Sequence, residues 1–141
     1  MTPSKWSWKE ASLPRELLHK LASRFAISIY EAALEGEPTQ VDILVNLGEL
    51  YTRAGLFEKG LKVDQRLVEV EPDEPSFHYN LACSHSLLGN LDVAFEALTR
   101  AIQLGYDKVE HLRDDPDLDN LKKDSRYHEI LKDLASKQAQ K

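Results

Sequence analysis

One distance in this chain limits its fold more than any other feature. The segment NLGELYTRAG, Asn46–Gly55, returns thirty-four residues later as NLACSHSLLG, Asn80–Gly89. At that offset Asn46 pairs with Asn80, Leu47 with Leu81, Gly48 with Ala82, and Gly55 with Gly89. The match runs on through Gly60 with Ala94, Leu61 with Phe95, Val68 with Ile102, and Pro38 with Pro72. Within the first copy Leu47, Leu50, Tyr51 and Ala54 fall at i, i+3, i+4 and i+7, one face of a helix. A helical unit of this length cannot bury its apolar face alone, so copies must stack on one another.

The glycines and prolines punctuate each unit. Gly55 and Gly89 stand where a helix C-terminus wants positive φ, and Pro38 and Pro72 close the second helix of their units. Each unit therefore reads as two amphipathic helices joined by a short turn. Gly48 is the anomaly, because mid-helix glycine costs about 1 kcal/mol relative to alanine. The expected offset is packing: Gly48 and Ala82 should face Gly60 and Ala94, letting the paired axes approach closely.

These contents resemble the tetratricopeptide repeat family. One unit supplies Leu44, Leu47, Gly48, Tyr51, Gly60, Leu67 and Pro72 at the family's positions. The next supplies His78, Leu81, Ala82, His85, Ala94, Leu98 and Ala101, and Ala26, Tyr30, Ala33 and Pro38 form the second helix of a degenerate unit before them. Asp64 replaces the usual aromatic, and Tyr106 stands where the second unit would have proline. The resemblance covers residues 14 to 106 and implies an all-α solenoid of antiparallel helix pairs with capping helices. The expected division is a flexible arm over 1–12, a partial unit over 13–38, full units over 41–72 and 75–106, a capping segment and helix over 107–137, and a frayed tail over 138–141.

A solenoid needs caps at both ends. At the front, Leu17, Leu18, Leu21, Phe25, Ile27, Tyr30 and Leu34 predict one helix from Leu13 to Leu34, with Ser12 as its cap and Pro14 in its first turn. Trp6 and Trp8 lie in the polar arm before it, where folding back onto the helix or anchoring a partner are the two readings. At the back, Tyr127, Ile130, Leu131 and Leu134 make a helical stripe after Asp124 or Ser125. The segment between, anchored at Val109, Leu112, Leu118 and Leu121, resembles the shortened unit that often ends such proteins, and with it a complete C-terminus is expected.

Charge and composition exclude several functions. A net charge of −6 argues against a nucleic-acid binder or a polybasic membrane surface. No apolar run nears the ~18 residues that a bilayer span requires. Cys83 is the single cysteine, so no intrachain disulfide forms, and with no signal-like N-terminus a cytoplasmic location is expected.

Three constellations imitate chemistry. Asp115, Asp117 and Asp119 have the first ligand spacings of a calcium loop, but Asn120 takes the required glycine and Arg126 the bidentate glutamate. Turn capping is the expected role. His78 and His85 share a helix face yet lie about 10 Å apart along the axis, too far for one zinc ion, and are expected to pack in place of aromatic rings. Neither a Cys83–histidine pair nor a serine triad stands out, so the chain is expected not to be an enzyme and to carry no cofactor or metal.

If the resemblance holds, the first helix of each unit lines a concave face. The inward residues are then Asp42, Val45, Asn46, Glu49 and Arg53 from one unit, and Ser76, Tyr79, Asn80, Cys83 and Ser86 from the next. Asn46 and Asn80 are equivalent, and a carboxamide can both donate to and accept from a peptide backbone. Some relatives grip acidic chaperone tails with cations at such positions. Here Val45, Glu49, Ser76 and Asn80 occupy them, so acidic tails should bind poorly and a neutral to mildly basic peptide should fit. No charged residue stands between Glu74 and Asp92, which reads either as burial or as a recognition face. The resulting function is a protein-binding scaffold that docks an extended peptide or partner helix in its groove. A monomer is favoured, and a self-associating homodimer is the alternative.

Overall fold

The computed structural model describes residues 13–141. Among them it holds seven α-helices and no strand: α1 (Arg15–Gly36), α2 (Val41–Arg53), α3 (Phe57–Val70), α4 (Pro75–Leu87), α5 (Leu91–Gln103), α6 (Val109–Asp114) and α7 (Ser125–Ala139). The arm over 1–12, with Trp6, Trp8 and the expected Ser12 cap, lies outside the described residues; Pro14 occupies the N-cap of α1.

Helix starts reveal a third unit. α2, α4 and α6 begin at 41, 75 and 109, and α3, α5 and α7 at 57, 91 and 125, both series in steps of thirty-four. The C-terminal cap is thus a repeat whose first helix is broken. α6 stops after six residues because Pro116 cannot continue it: proline has no N–H to donate and clashes with the preceding turn. Asp115 takes an extended backbone there and accepts a hydrogen bond from the Asp117 N–H at 2.9 Å, starting a single 3-10 turn over Pro116–Leu118. Asp124 then caps α7 by accepting from the Arg126 N–H, and α7 stays helical to Ala139.

The turns follow the glycine signals. Gly55 and Gly89 take φ of +73° and +76°, and the next N–H reaches back in each case, Leu56 to the Tyr51 carbonyl and Asn90 to the His85 carbonyl, both at 2.9 Å. Tyr106 repeats this bond to the Ala101 carbonyl at 2.9 Å. A proline at 106 would have no N–H to give.

The close approach at Gly48 is real, but its partner differs from the expectation. A Cβ there would meet Val63 Cγ1 at 3.3 Å and Asp64 Oδ1 at 3.5 Å, whereas Gly60 faces Tyr51, Thr52 and Ser84. The second unit has alanine at both equivalent positions, Ala82 and Ala97, so one small-and-large pair is replaced by two of middle size.

The core falls in two parts. Ile27, Leu44, Leu47, Tyr51, Val63, Leu67 and Phe77 join α1 to α3 with the edge of α4. A larger cluster, centred on Leu98, Ala101, Leu112, Leu118, Leu121 and Tyr127, joins α4 to the C-terminal unit. Between the units Asp64 of α3 and Ser84 of α4 form a buried polar pair, the Ser84 hydroxyl donating to Asp64 Oδ2. Among the described residues no helix is long and apolar enough to cross a membrane.

Candidate functional site

The uncharged α4 is covered on most sides. Phe77, His78, Tyr79 and the run Ala82 to Ser86 are all buried, because α3 and α5 flank this helix and the broken third unit lies across part of it. The Tyr79 ring stacks on Tyr106 with centroids 4.4 Å apart and planes 7° from parallel. Its hydroxyl donates to Asp115 Oδ2 at 2.6 Å. The Tyr106 oxygen lies 2.7 Å from His111 Nδ1, and the Asn120 amide donates to the Ser86 carbonyl at 2.7 Å. Most of this helix is thus buried, while Asn80 and Leu87 stay partly open.

What remains open is a cavity of about 610 Å³ between α2 and α4, closed at one end by the C-terminal unit. α2 contributes Val45, Gly48, Glu49, Thr52 and Arg53; Asp64 and Ser84 form part of its lining. α4 adds Tyr79, Asn80, Cys83 and Leu87, and the broken unit adds His111, Asp115 and Asp117. The helical spacing of Val45, Gly48, Glu49 and Thr52 puts them along one side of α2, and Gly48 leaves room above Asp64.

Six expected site residues therefore come together here: Val45, Glu49, Arg53, Tyr79, Asn80 and Cys83. Four do not line the cavity. The Asn46 amide turns back to the Asp42 carbonyl of its own helix at 2.6 Å, and both residues stay on the exposed surface. Ser76 is held at the start of α4 by its N–H bond to the Glu74 carboxylate. Ser86 is fully buried beneath Asn120, so it cannot meet a guest. Tyr79 also departs from its expected role, since its hydroxyl is committed to Asp115 and it is 3% exposed.

The site's acidic half was not foreseen. Asp64, Asp115 and Asp117 join Glu49 on the walls, against Arg53, which is paired with Glu49, and the imidazole of His111. Burial pushes the Asp64 carboxyl up to about 6, although the Ser84 hydrogen bond pulls the other way. Asp117 is also raised, first by burial and then by the charges of Asp115 and Asp119. Burial lifts the Cys83 thiol well above its ordinary value, and nearby Asp115 adds to this, so the sulfur is held as a poor nucleophile. The Asp64 departure from the repeat pattern was the available sequence signal; the return of Asp115 and Asp117 over α4 had none.

The imitations of chemistry resolve into packing and capping. His78 Nε2 lies 2.7 Å from the Pro72 carbonyl, and His85 Nδ1 lies 3.4 Å from the Asn90 amide. Asp119 pairs with Lys122 at 2.8 Å. Arg126, in the calcium loop's glutamate position, bonds Asp124 and Asp92 and covers the Phe95 ring at 4.2 Å. No group of three or more His, Cys, Asp or Glu among the described residues is arranged to hold a metal ion.

Residues 26–82 match the family model of the tetratricopeptide repeat. Among curated proteins, the chain is 31% identical over 88 residues to a chloroplastic protein of Arabidopsis thaliana, covering 60% of this chain and 26% of that one. It is 28% identical over 112 residues to Superkiller complex protein 3 of Mus musculus, covering 78% of this chain and 7% of that one. The chain thus spans about a quarter or less of these relatives. Among solved structures, a crystal structure of MamA superposes with a TM-score of 0.68 at 20% identity, over 89% of this chain and 75% of that one. MamA 41-end from Desulfovibrio magneticus RS-1 gives 0.64 at 16% identity, over 86% and 71%. At these identities the likeness concerns the fold.

Proposed function

We propose that this chain, whose residues 26–82 match the tetratricopeptide repeat model, is a non-enzymatic scaffold docking an extended, neutral to mildly basic protein segment between α2 and α4. The single observation that carries the reading is the cavity itself: about 610 Å³, open beside α2, and walled by more carboxylates than cations. A lysine or arginine of the guest would meet Glu49, Asp115 and Asp117, while an acidic tail would meet like charge. Asn80, half-buried on the wall, is the carboxamide available to a guest backbone. A Tyr79 hydroxyl already committed to Asp115 and a thiol kept protonated support recognition rather than catalysis. We place the protein in the cytoplasm.

The test is fluorescence anisotropy with extended peptides of equal length and graded charge, one of them an acidic chaperone-tail peptide. Neutral and lysine-containing peptides should bind, with affinity lost on Asn80→Ala and on Glu49→Lys and falling as salt is added. Tighter binding of the acidic peptide, or indifference to both substitutions, would overturn the reading.

A further inference from the structure

We propose that α1 carries a second, independent surface on which another copy of this chain docks, the two α1 helices running antiparallel about Phe25. In the two complete units the second helix is covered by the first helix of its own unit, and Val63 and Ala97 are buried by it. α1 is the second helix of a unit whose first helix is missing from the described residues. Ile29, at the position equivalent to Val63 and Ala97, is 52% exposed and Phe25 is 68% exposed. Leu17, Leu18 and Leu21 are exposed on the same helix. Its other face, through Ile27, Tyr30 and Leu34, is packed into the protein.

The pattern of the open face identifies the guest. Leu18, Leu21, Phe25, Ile29 and Ala32 are spaced 3, 4, 4 and 3 residues apart, a sequence that reads the same in both directions from Phe25. A two-fold contact between identical helices pairs residue 25+k with residue 25−k. Leu21 then meets Ile29 of the second copy, Leu18 meets Ala32, and Phe25 meets its own equivalent. The charge is also unevenly divided: Arg15, Lys20 and Arg24 outnumber Glu16 before Phe25, whereas Glu31, Glu35 and Glu37 lie after it, Glu31 being bonded to Tyr51 and Lys59 of its own chain. Antiparallel pairing sets the net-positive half of one helix against the net-negative half of the other, whereas parallel pairing would set like against like. No α1 residue lines the cavity, so this surface does not depend on the docking reading.

The experiment uses the full chain. Light scattering behind size exclusion should show a dimer that dissociates on dilution, and Phe25→Glu should leave a monomer with unchanged helical circular dichroism and unchanged peptide binding. In a Cys83→Ser background, Phe25→Cys should form a disulfide-linked dimer on air oxidation. Leu21→Cys should do so efficiently only when mixed with Ile29→Cys. A monomer at every concentration would overturn the proposal, as would a dimer indifferent to Phe25→Glu or a Leu21→Cys protein that links to itself. So would a monomer that dimerises only when residues 1–12 are removed, because the arm would then be the occupant. Loss of peptide binding with the dimer intact would instead fault the cavity reading.

Discussion

Changing Asp64 to asparagine should make the protein more stable, and the gain should depend on pH. Asp64 is 6% exposed between two units, at the position where the second unit has the fully buried Leu98. Its carboxyl is pushed up to about 6 by burial, against an unfolded value near 3.9. Between those values the folded state holds the proton and the unfolded state has lost it, so stability falls as pH rises through this window. About two pH units at about 1.4 kcal/mol each make the ionised group a cost on the order of 3 kcal/mol at neutral pH. Asparagine keeps the shape and an oxygen for the Ser84 hydroxyl but never ionises. The Ser84 bond is already counted in that value, but the amide brings an extra N–H donor into the buried site, which costs about 1 kcal/mol when unpaired. Urea denaturation of both proteins should therefore show Asp64→Asn ahead by about 2 kcal/mol near neutral pH. The gap should shrink or reverse at about pH 4, where both side chains are neutral. A gap that is constant with pH, or an asparagine variant that is weaker at neutral pH, would refute the argument.

Three further outcomes are expected. Tyr51→Phe removes the 2.6 Å bond that ties α2 to Glu31 of α1 and should cost about 1 kcal/mol, with hydrogen exchange quickened first in α1. Gly48→Ala alone should gain nothing, because its Cβ meets Val63 Cγ1 at 3.3 Å; adding Val63→Ala recreates the second unit's pairing, and thermal melts should show the double variant doing better than the sum of the two single changes. Cys83, buried with its thiol raised, should react with a thiol reagent far more slowly in the native protein than in urea, and a native rate equal to the denatured one would contradict its environment.

The repeat was legible because its constraints are local and recur. Gly55 and Gly89 end helices at positive φ as their spacing predicts, and Leu47 and Leu44 are buried on the expected face. The third unit was harder to read because Pro116 interrupts its first helix, leaving too few residues for a helical stripe even though Val109 keeps the thirty-four-residue step. The site was legible only in part for a related reason. Val45, Glu49, Arg53 and Asn80 follow from the family resemblance, which turns the first helix of each unit inward, but Asp115 and Asp117 reach the cavity by a tertiary return that no local pattern encodes. The same return buries Ser86 and takes up the Tyr79 hydroxyl, although the Tyr79 ring still lines the cavity.

That return gives the molecule two unlike halves. Had the first helix of the third unit run its full length, it would have offered the same kind of face as α2 and α4. Pro116 ends it instead, and the chain that follows buries Leu118 and Leu121 completely against the preceding unit. The turn that breaks this helix also fixes Asp115 over Tyr79, because Asp115 Oδ1 caps the turn while its Oδ2 accepts the phenol. The interruption of the third unit and the carboxylate wall of the cavity thus have one physical cause. The α1 end has no described counterpart to this closure: its apolar stripe stays exposed, and its charge changes sign across Phe25. The broken first helix thus marks the third unit, while at the other end α1 keeps an exposed apolar face, the surface we propose for a second copy.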